Sequence, residues 1–554
     1  MWLRVFLIVF VLLHCVFSAQ NVEVSTPFGK ILGTTLTTRL GKTIYAFRGI
    51  RYGKPPVNEL RFKPPQPVDP WSGIYNATSD APVCPQPGIT PVSEDCLFLN
   101  VYATKLPAGK NNPKRPVIIH LHPGGFYSVT GRSNWAGPQY FMDQDIVMVT
   151  LNYRLATLGF ISVGKEAPGN NGLRDQVIAM KWVQNNIASF GGDPNSVTLY
   201  GYSAGAWSIT LHMVSPMSRG LFHKAILGSG SALGHWPLPR HQLDLAKKQA
   251  RILGCPDDNA TVVIDCLRKT PAEELGNSFF QFAEFGTDPI LLWSPVIEED
   301  FGQERFLPDN PIKLIKSGKF EQVPVIAGIT KDEFAQRAFP ILSNDSLLQQ
   351  VNNDFERYAP LMFIYERGTS KSKEVSRSVR QFYFGVDPIT NASLQNLENA
   401  YSDSIVGFPA NRAVDLISTY SSKPVYYYLF TYQGRYSHFY LPGSNGTIPN
   451  GVAHHDDLIY LFYISPLFPF FNSTDPETKM VETLSSLWAN FANTGDPTDC
   501  SLNENIGNIE WIPYDTTTKK YLEIGEKLTL KEKLFEDRYS FWRNLYPLSS
   551  NVKI

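Results

Sequence analysis

A charge excess of either sign is missing from this 554-residue chain, in which 50 Lys and Arg stand against 51 Asp and Glu. So balanced a chain sets up no long-range field to gather nucleic acid or anionic membrane, and a neutral small-molecule ligand is the default expectation. Charged residues make up only 18% of the sequence against 43% hydrophobic, which excludes intrinsic disorder and supplies a large core. Long apolar runs are scarce too. One lies at the start, Val5 to Phe17 behind Arg4, closed by the small residues Ser18 and Ala19. It is shorter than the ~20 residues a bilayer core requires and has the layout of a secretory signal, so residues 1–18 are expected to be removed. No second run reaches spanning length, and no lipid-anchor or retention signal is present. The mature chain, 19–554, is expected outside the cell without a membrane anchor.

Cysteine is rare, six residues in all, with no Cys-x-x-Cys and no histidine beside the pairs, which sets aside a cysteine-built metal site. With Cys15 in the signal, the spacing suggests two short loops closed by Cys84 to Cys96 and Cys255 to Cys266, leaving Cys500 unpaired. Such bridges suit an oxidising compartment. So do the Asn-x-Ser/Thr sequons at Asn76, Asn259, Asn344, Asn391, Asn445 and Asn472, each a candidate glycosylation site.

Internal repeats and low-complexity tracts are absent, and strand and helix patterns alternate from about residue 115 to 330. "RPVIIHLH" and "DIVMVTLNYRL" are apolar on both faces, as in the buried strands of a parallel sheet. "NGLRDQVIAMKWVQNNIASF" has helical spacing before "GGDP" interrupts it, and "SVTLY" reads as strand again. Directly after that strand stands "GYSAG", followed by the helical "AWSITLHMVS". A Gly-x-Ser-x-Gly on a strand-to-helix turn forces Ser203 into a strained backbone and lifts its hydroxyl above the sheet, with Gly201 and Gly205 required for space.

A serine nucleophile needs a base, an acid to orient the base, and donors for the oxyanion. Upstream, the strand "VIIHLH" runs into "PGGFYS", where Gly124 and Gly125 would present bare amides alongside that of Ala204. Downstream, "VPVIAGITKDEF" offers Asp332 and Glu333 at a strand end, and composition does not choose between them. His454 and His455, in "NGVAHHDDLIYLF", lie in a polar turn leading into an apolar helix; His438 lies among aromatics. His120 and His122 alternate on a strand without an evident third ligand and are expected to pack.

These segments resemble the type-B carboxylesterases, the cholinesterase-like branch of the α/β-hydrolases. "GIRYGKPPVNELRFKPPQPVDPW", "EDCLFLNVY", "NYRLATLGF", "FGGDPNSVTLYGYSAGAWS", "AILGSG", "KDEF" and "GVAHHDDLIYLF" match in order and spacing over essentially the whole mature chain. The resemblance implies an α/β-hydrolase fold, a central mixed, mostly parallel sheet with helices on both faces, as one catalytic domain. It implies Ser203 as nucleophile, Glu333 as acid, His454 as base and Gly124, Gly125 and Ala204 as oxyanion donors, with disulfides Cys84–Cys96 and Cys255–Cys266. Neither metal nor organic cofactor is implied, and the partner is an ester substrate. Pro123, Phe334 and His455 depart from the family pattern at positions where glycine or alanine is common. The Cys84–Cys96 loop is too short to carry a choline-binding tryptophan, which argues against acetylcholine. The pattern looks most like secreted insect esterases, with juvenile hormone esterase-type specificity as one alternative. A catalytically silent adhesion protein, or a lipase, is the other.

Overall fold

The computed structural model describes residues 21–109, 111–499, 506 and 509–548. The expected signal segment and Cys500 lie outside them. Twelve strands follow one another across a single sheet: β1 (Val22–Thr26), β2 (Gly29–Thr37), β3 (Thr43–Arg51), β4 (Phe98–Ala103), β5 (Arg115–Leu121), β6 (Val147–Leu151), β7 (Gly192–Tyr202), β8 (Lys224–Gly228), β9 (Val325–Thr330), β10 (Val425–Phe430), β11 (Lys520–Ile524) and β12 (Leu528–Glu532). Their spatial order is β1-β2-β3-β4-β6-β5-β7-β8-β9-β10-β11-β12, and a short strand, Ile74–Asn76, pairs with β2. Every pairing from β6 to β11 is parallel, whereas the flanking ones along this order are antiparallel and the short strand Ile74–Asn76 pairs with β2 in parallel. The sheet is thus mixed and mostly parallel, as expected.

Alternation along the parallel strands sorts their side chains into two cores. Val117, Ile119, Val197, Leu199, Val325 and Ala327 face one way, packing with Leu173 and Val177 of α1 (Asn171–Asn186), Ile209 of α2 (Ala204–Val214) and Val414 of α3 (Phe408–Tyr420). Ile118, Tyr200, Ile226, Ile326 and Tyr428 face the other way, against Leu484, Leu487 and Trp488 of α4 (Thr478–Thr494). Period-two burial on both faces explains why these strands read as unbroken apolar runs. The alternation of single strands and helices expected up to residue 330 is interrupted between β8 and β9, where residues 229–324 carry several helices before the chain re-enters the sheet.

Both expected disulfides are formed, Cys84–Cys96 and Cys255–Cys266. Asn76, Asn259, Asn344, Asn391, Asn445 and Asn472 are all exposed. The Asn259 and Asn344 carbonyls cap helix N-termini by accepting from Val262 N and Leu347 N, which leaves their amide nitrogens facing outward from the cap. No helix among the described residues is long and apolar enough to cross a membrane.

Candidate active site

After β5 the chain crosses to β6 on one side, and β7 lies on the other, so the strand order reverses between β5 and β7. Ligands of open α/β sheets bind beyond the strand ends at such a switch point. Gly124 and Gly125 follow β5 there, and Ser203 follows β7.

Ser203 has φ 53° and ψ −119°, a backbone that L-residues rarely adopt. Its amide donates to Gly228 O at 2.8 Å, and its carbonyl accepts from Trp207 N at 2.9 Å. Surrounding glycines make the turn possible. A Cβ on Gly201 would stand 2.3 Å from the Gly205 carbonyl carbon, one on Gly205 2.0 Å from Leu121 O, and one on Gly230 2.3 Å from Ser203 O. In each case the obstacle is backbone, which cannot rotate aside. Gly205→Ala is therefore expected to destabilise the fold by roughly 3 kcal/mol, by forcing α2 away from β5. Gly220→Ala, at φ +71° but with nothing within 4 Å, is expected to cost only about 1 kcal/mol. Urea unfolding of the two variants checks the contrast.

The turn after β5 is clamped from below. His122 Nδ1–H donates to Pro123 O at 2.8 Å, Tyr153 Oη donates to His122 O at 3.0 Å, and the His122 and Tyr153 rings stack. Gly124 O accepts from Tyr127 N and Ser128 N. Gly124 has φ 109° and Gly125 φ 57°. The amides of Gly124, Gly125 and Ala204 have no acceptor among the described residues, and all three residues line the same cavity as Ser203. Pro123 thus leaves this cluster of free donors intact.

β9 ends at Thr330 and delivers both carboxylates to the same edge. Their roles separate. Glu333 is fully buried; its Oε1 accepts from Thr330 N at 2.8 Å and its Oε2 meets His454 Nδ1 at 2.5 Å. Asp332 grips the histidine loop by its backbone, donating its amide to Val452 O at 2.9 Å and accepting from Val452 N at 2.8 Å. Asp456 tightens the same loop, accepting from Ala453 N at 2.9 Å. The helix expected beyond the histidines is only a 3₁₀ turn, Asp456–Tyr460. Past it, Tyr463 N bonds Gly137 O, and the chain turns away.

Phe334 and His455 occupy the left-handed region, at φ 53° and 84°, where glycine is at ease. Their rings flank that of His454, with centroids 4.2 and 4.1 Å away. Tyr202, beside the serine, packs on His454 at 5.1 Å, and its hydroxyl accepts from His455 N at 2.9 Å. Beneath it, burial and the Glu333 charge push the Asp457 carboxyl up to about 8, so it keeps its proton at neutral pH. Neither contact was legible beforehand, because each joins strand to loop across more than 250 residues or lies under the sheet edge.

Ser203 and His454 line one cavity of about 330 Å³, with Tyr127, Trp207, Trp236, Leu291, Phe334 and Phe439 among its walls. No direct hydrogen bond joins Ser203 Oγ to His454 among the described residues; such contacts are often long in ligand-free sites and tighten once substrate binds. Trp207 lies one helical turn beyond Ser203 and contacts Trp236 with ring centroids 4.2 Å apart. The i, i+4 spacing foretells the first of these walls, and nothing local foretells the second. His438 stands outside the cavity lining, bound to Asp456. His120 and His122 are sealed in aromatic packing, and burial lowers them to about 3 and about 4. Both are neutral core residues.

A mostly parallel sheet covered on both faces, with this serine turn at the reversal of strand order, is the α/β-hydrolase fold, and the chain is a carboxylic-ester hydrolase. It belongs to the carboxylesterase family, which matches residues 20–542. Esterase FE4 of Myzus persicae is 39% identical over 514 residues, covering 89% of this chain and 88% of that protein. The juvenile hormone esterase of Tribolium castaneum is 36% identical over 518 residues, covering 90% of this chain and 87% of that protein. The crystal structure of juvenile hormone esterase from Manduca sexta, with OTFP covalently attached, superposes with a TM-score of 0.83. That match has 28% identity and covers 95% of this chain and all of that one.

Proposed function

We propose that the protein is a secreted serine carboxylesterase, one catalytic domain spanning 19–554, working through a Ser203–His454–Glu333 triad. The observation that carries this reading is the buried Glu333–His454 hydrogen bond at the rim of the cavity that Ser203 lines. With Nδ1–H given to Glu333, the imidazole presents Nε2 as a bare acceptor. Nε2 takes the Ser203 proton as Oγ bonds to the ester carbonyl carbon, and the carbonyl oxygen becomes an oxyanion held by the amides of Gly124, Gly125 and Ala204. Collapse breaks the ester C–O bond, and His454 returns the proton to the departing alkoxide. Water then gives a proton to His454 and bonds to the acyl carbon; Ser203 leaves and is reprotonated, releasing the acid.

The signal-like start, the two disulfides and the exposed sequons support export and glycosylation. Likeness to two juvenile hormone esterases makes an ester of that type the alternative reading. Incubation with an organophosphate followed by peptide mass spectrometry tests the mechanism: phosphorylation is expected on Ser203, and an unlabelled Ser203 peptide from active protein rejects the assignment.

A further inference from the structure

His455 stands where glycine would fit without strain; its ring packs against those of Tyr202, His438 and His454, and the triad gives it no role. Its ring lines the cavity beside that of His454. Nδ1 is sealed from solvent and has no hydrogen-bond partner. The residue is half-buried, and Nε2, which bonds to nothing among the described residues, is not one of its sealed atoms. Burial and the neighbouring His454 and His438 rings keep His455 neutral. A neutral imidazole carries one N–H. Sealed without an acceptor, Nδ1 is the costlier place for that proton, so it sits on Nε2, facing the cavity. The loop is held in this pose, since Tyr202 Oη accepts the His455 amide. Left-handed backbone at a non-glycine residue on a cavity wall is one place where folds hold strain for function.

We infer that His455 is a specificity-determining hydrogen-bond donor for the alcohol half of the substrate, selecting esters whose alcohol carries an acceptor oxygen near the ester link. This rests on the proposed mechanism, in which His454 hands its proton to the leaving alkoxide. The wall next to that ring, His455 with Phe334, then faces the alcohol side, and an aromatic face with one donor suits an apolar alcohol bearing an oxygen.

The test uses 2-methoxyethyl acetate and n-butyl acetate, which differ by an oxygen in place of one methylene. The kcat/KM ratio of the first to the second is measured for the wild type and for His455→Phe, His455→Gly and His455→Asn. Loss of one such hydrogen bond should lower the ratio roughly three- to tenfold in the Phe and Gly variants. Asparagine, a donor that tolerates left-handed backbone, should restore most of it. Glycine meets no strain at φ 84° and covers the case where the Phe variant fails to fold. Ratios within twofold of wild type in the Phe or Gly variants overturn the inference alone. Wild-type protein that hydrolyses neither ester overturns the inference, and the proposed function falls with it if Ser203 also resists organophosphate labelling.

Discussion

Ser203→Ala is expected to lower kcat for an aryl acetate by on the order of 10⁵- to 10⁶-fold, while the protein melts where the wild type does. The size follows from losing the only atom that bonds to the acyl carbon; members of such a triad act as a unit, so loss of one removes nearly the whole effect. Some acceleration should survive, because the free amides of Gly124, Gly125 and Ala204 still meet a developing oxyanion. Stability should barely change. Ser203 Oγ makes no hydrogen bond that holds the fold, and alanine meets the same backbone penalty at φ 53° as serine does. Steady-state kinetics with a denaturation curve on one preparation separates the two quantities. Turnover within tenfold of wild type would mean another nucleophile does the work.

Much of this arrangement was legible because each piece is a local pattern. A strand, a Gly-x-Ser-x-Gly and a helix in succession define the elbow, and the structure supplies the contacts that make its glycines obligatory, 2.0 to 2.3 Å from backbone atoms. The order of elements along the chain likewise gave the mostly parallel sheet. What the residues by themselves leave open is long-range, and there only the family resemblance points to Glu333 and His454. Asp332 and Glu333 are adjacent, alike in chemistry and equally placed at a strand end. Only the position of residues 451–456, more than 100 residues on, decides that one carboxylate meets a ring and the other a backbone. Tyr202 was equally opaque, since its hydroxyl finds its partner 253 positions away. The segment after His455 reads as a helix because its apolar spacing is helical, yet it forms only a 3₁₀ turn, and the chain pairs with Gly137 at Tyr463 soon afterwards.

Those adjacent carboxylates give the second large effect. Glu333→Gln is expected to cut kcat by about 10⁴-fold, and Asp332→Asn by less than tenfold, although the residues are neighbours and both changes delete one charge. Glutamine preserves shape and can still accept from Thr330 N, but turning its amide NH₂ toward His454 Nδ1 requires that nitrogen to be the acceptor. The proton then moves to Nε2, the wrong tautomer for removing the Ser203 proton, a fault that in comparable triads costs about that factor. Turning the glutamine oxygen toward Nδ1 instead restores the tautomer but sets the NH₂ against Thr330 N, donor to donor, and gives the imidazolium no counter-charge. Asparagine at 332 keeps the one thing Asp332 supplies there, an oxygen for Val452 N. That hydrogen bond is no longer charge-assisted, which should cost about 1 kcal/mol of stability, more than it costs turnover. Comparing kcat, KM and the urea midpoint for both variants decides the matter: equal losses of kcat would show that the two carboxylates share the acid's role, and a larger loss at Asp332 would reverse the assignment.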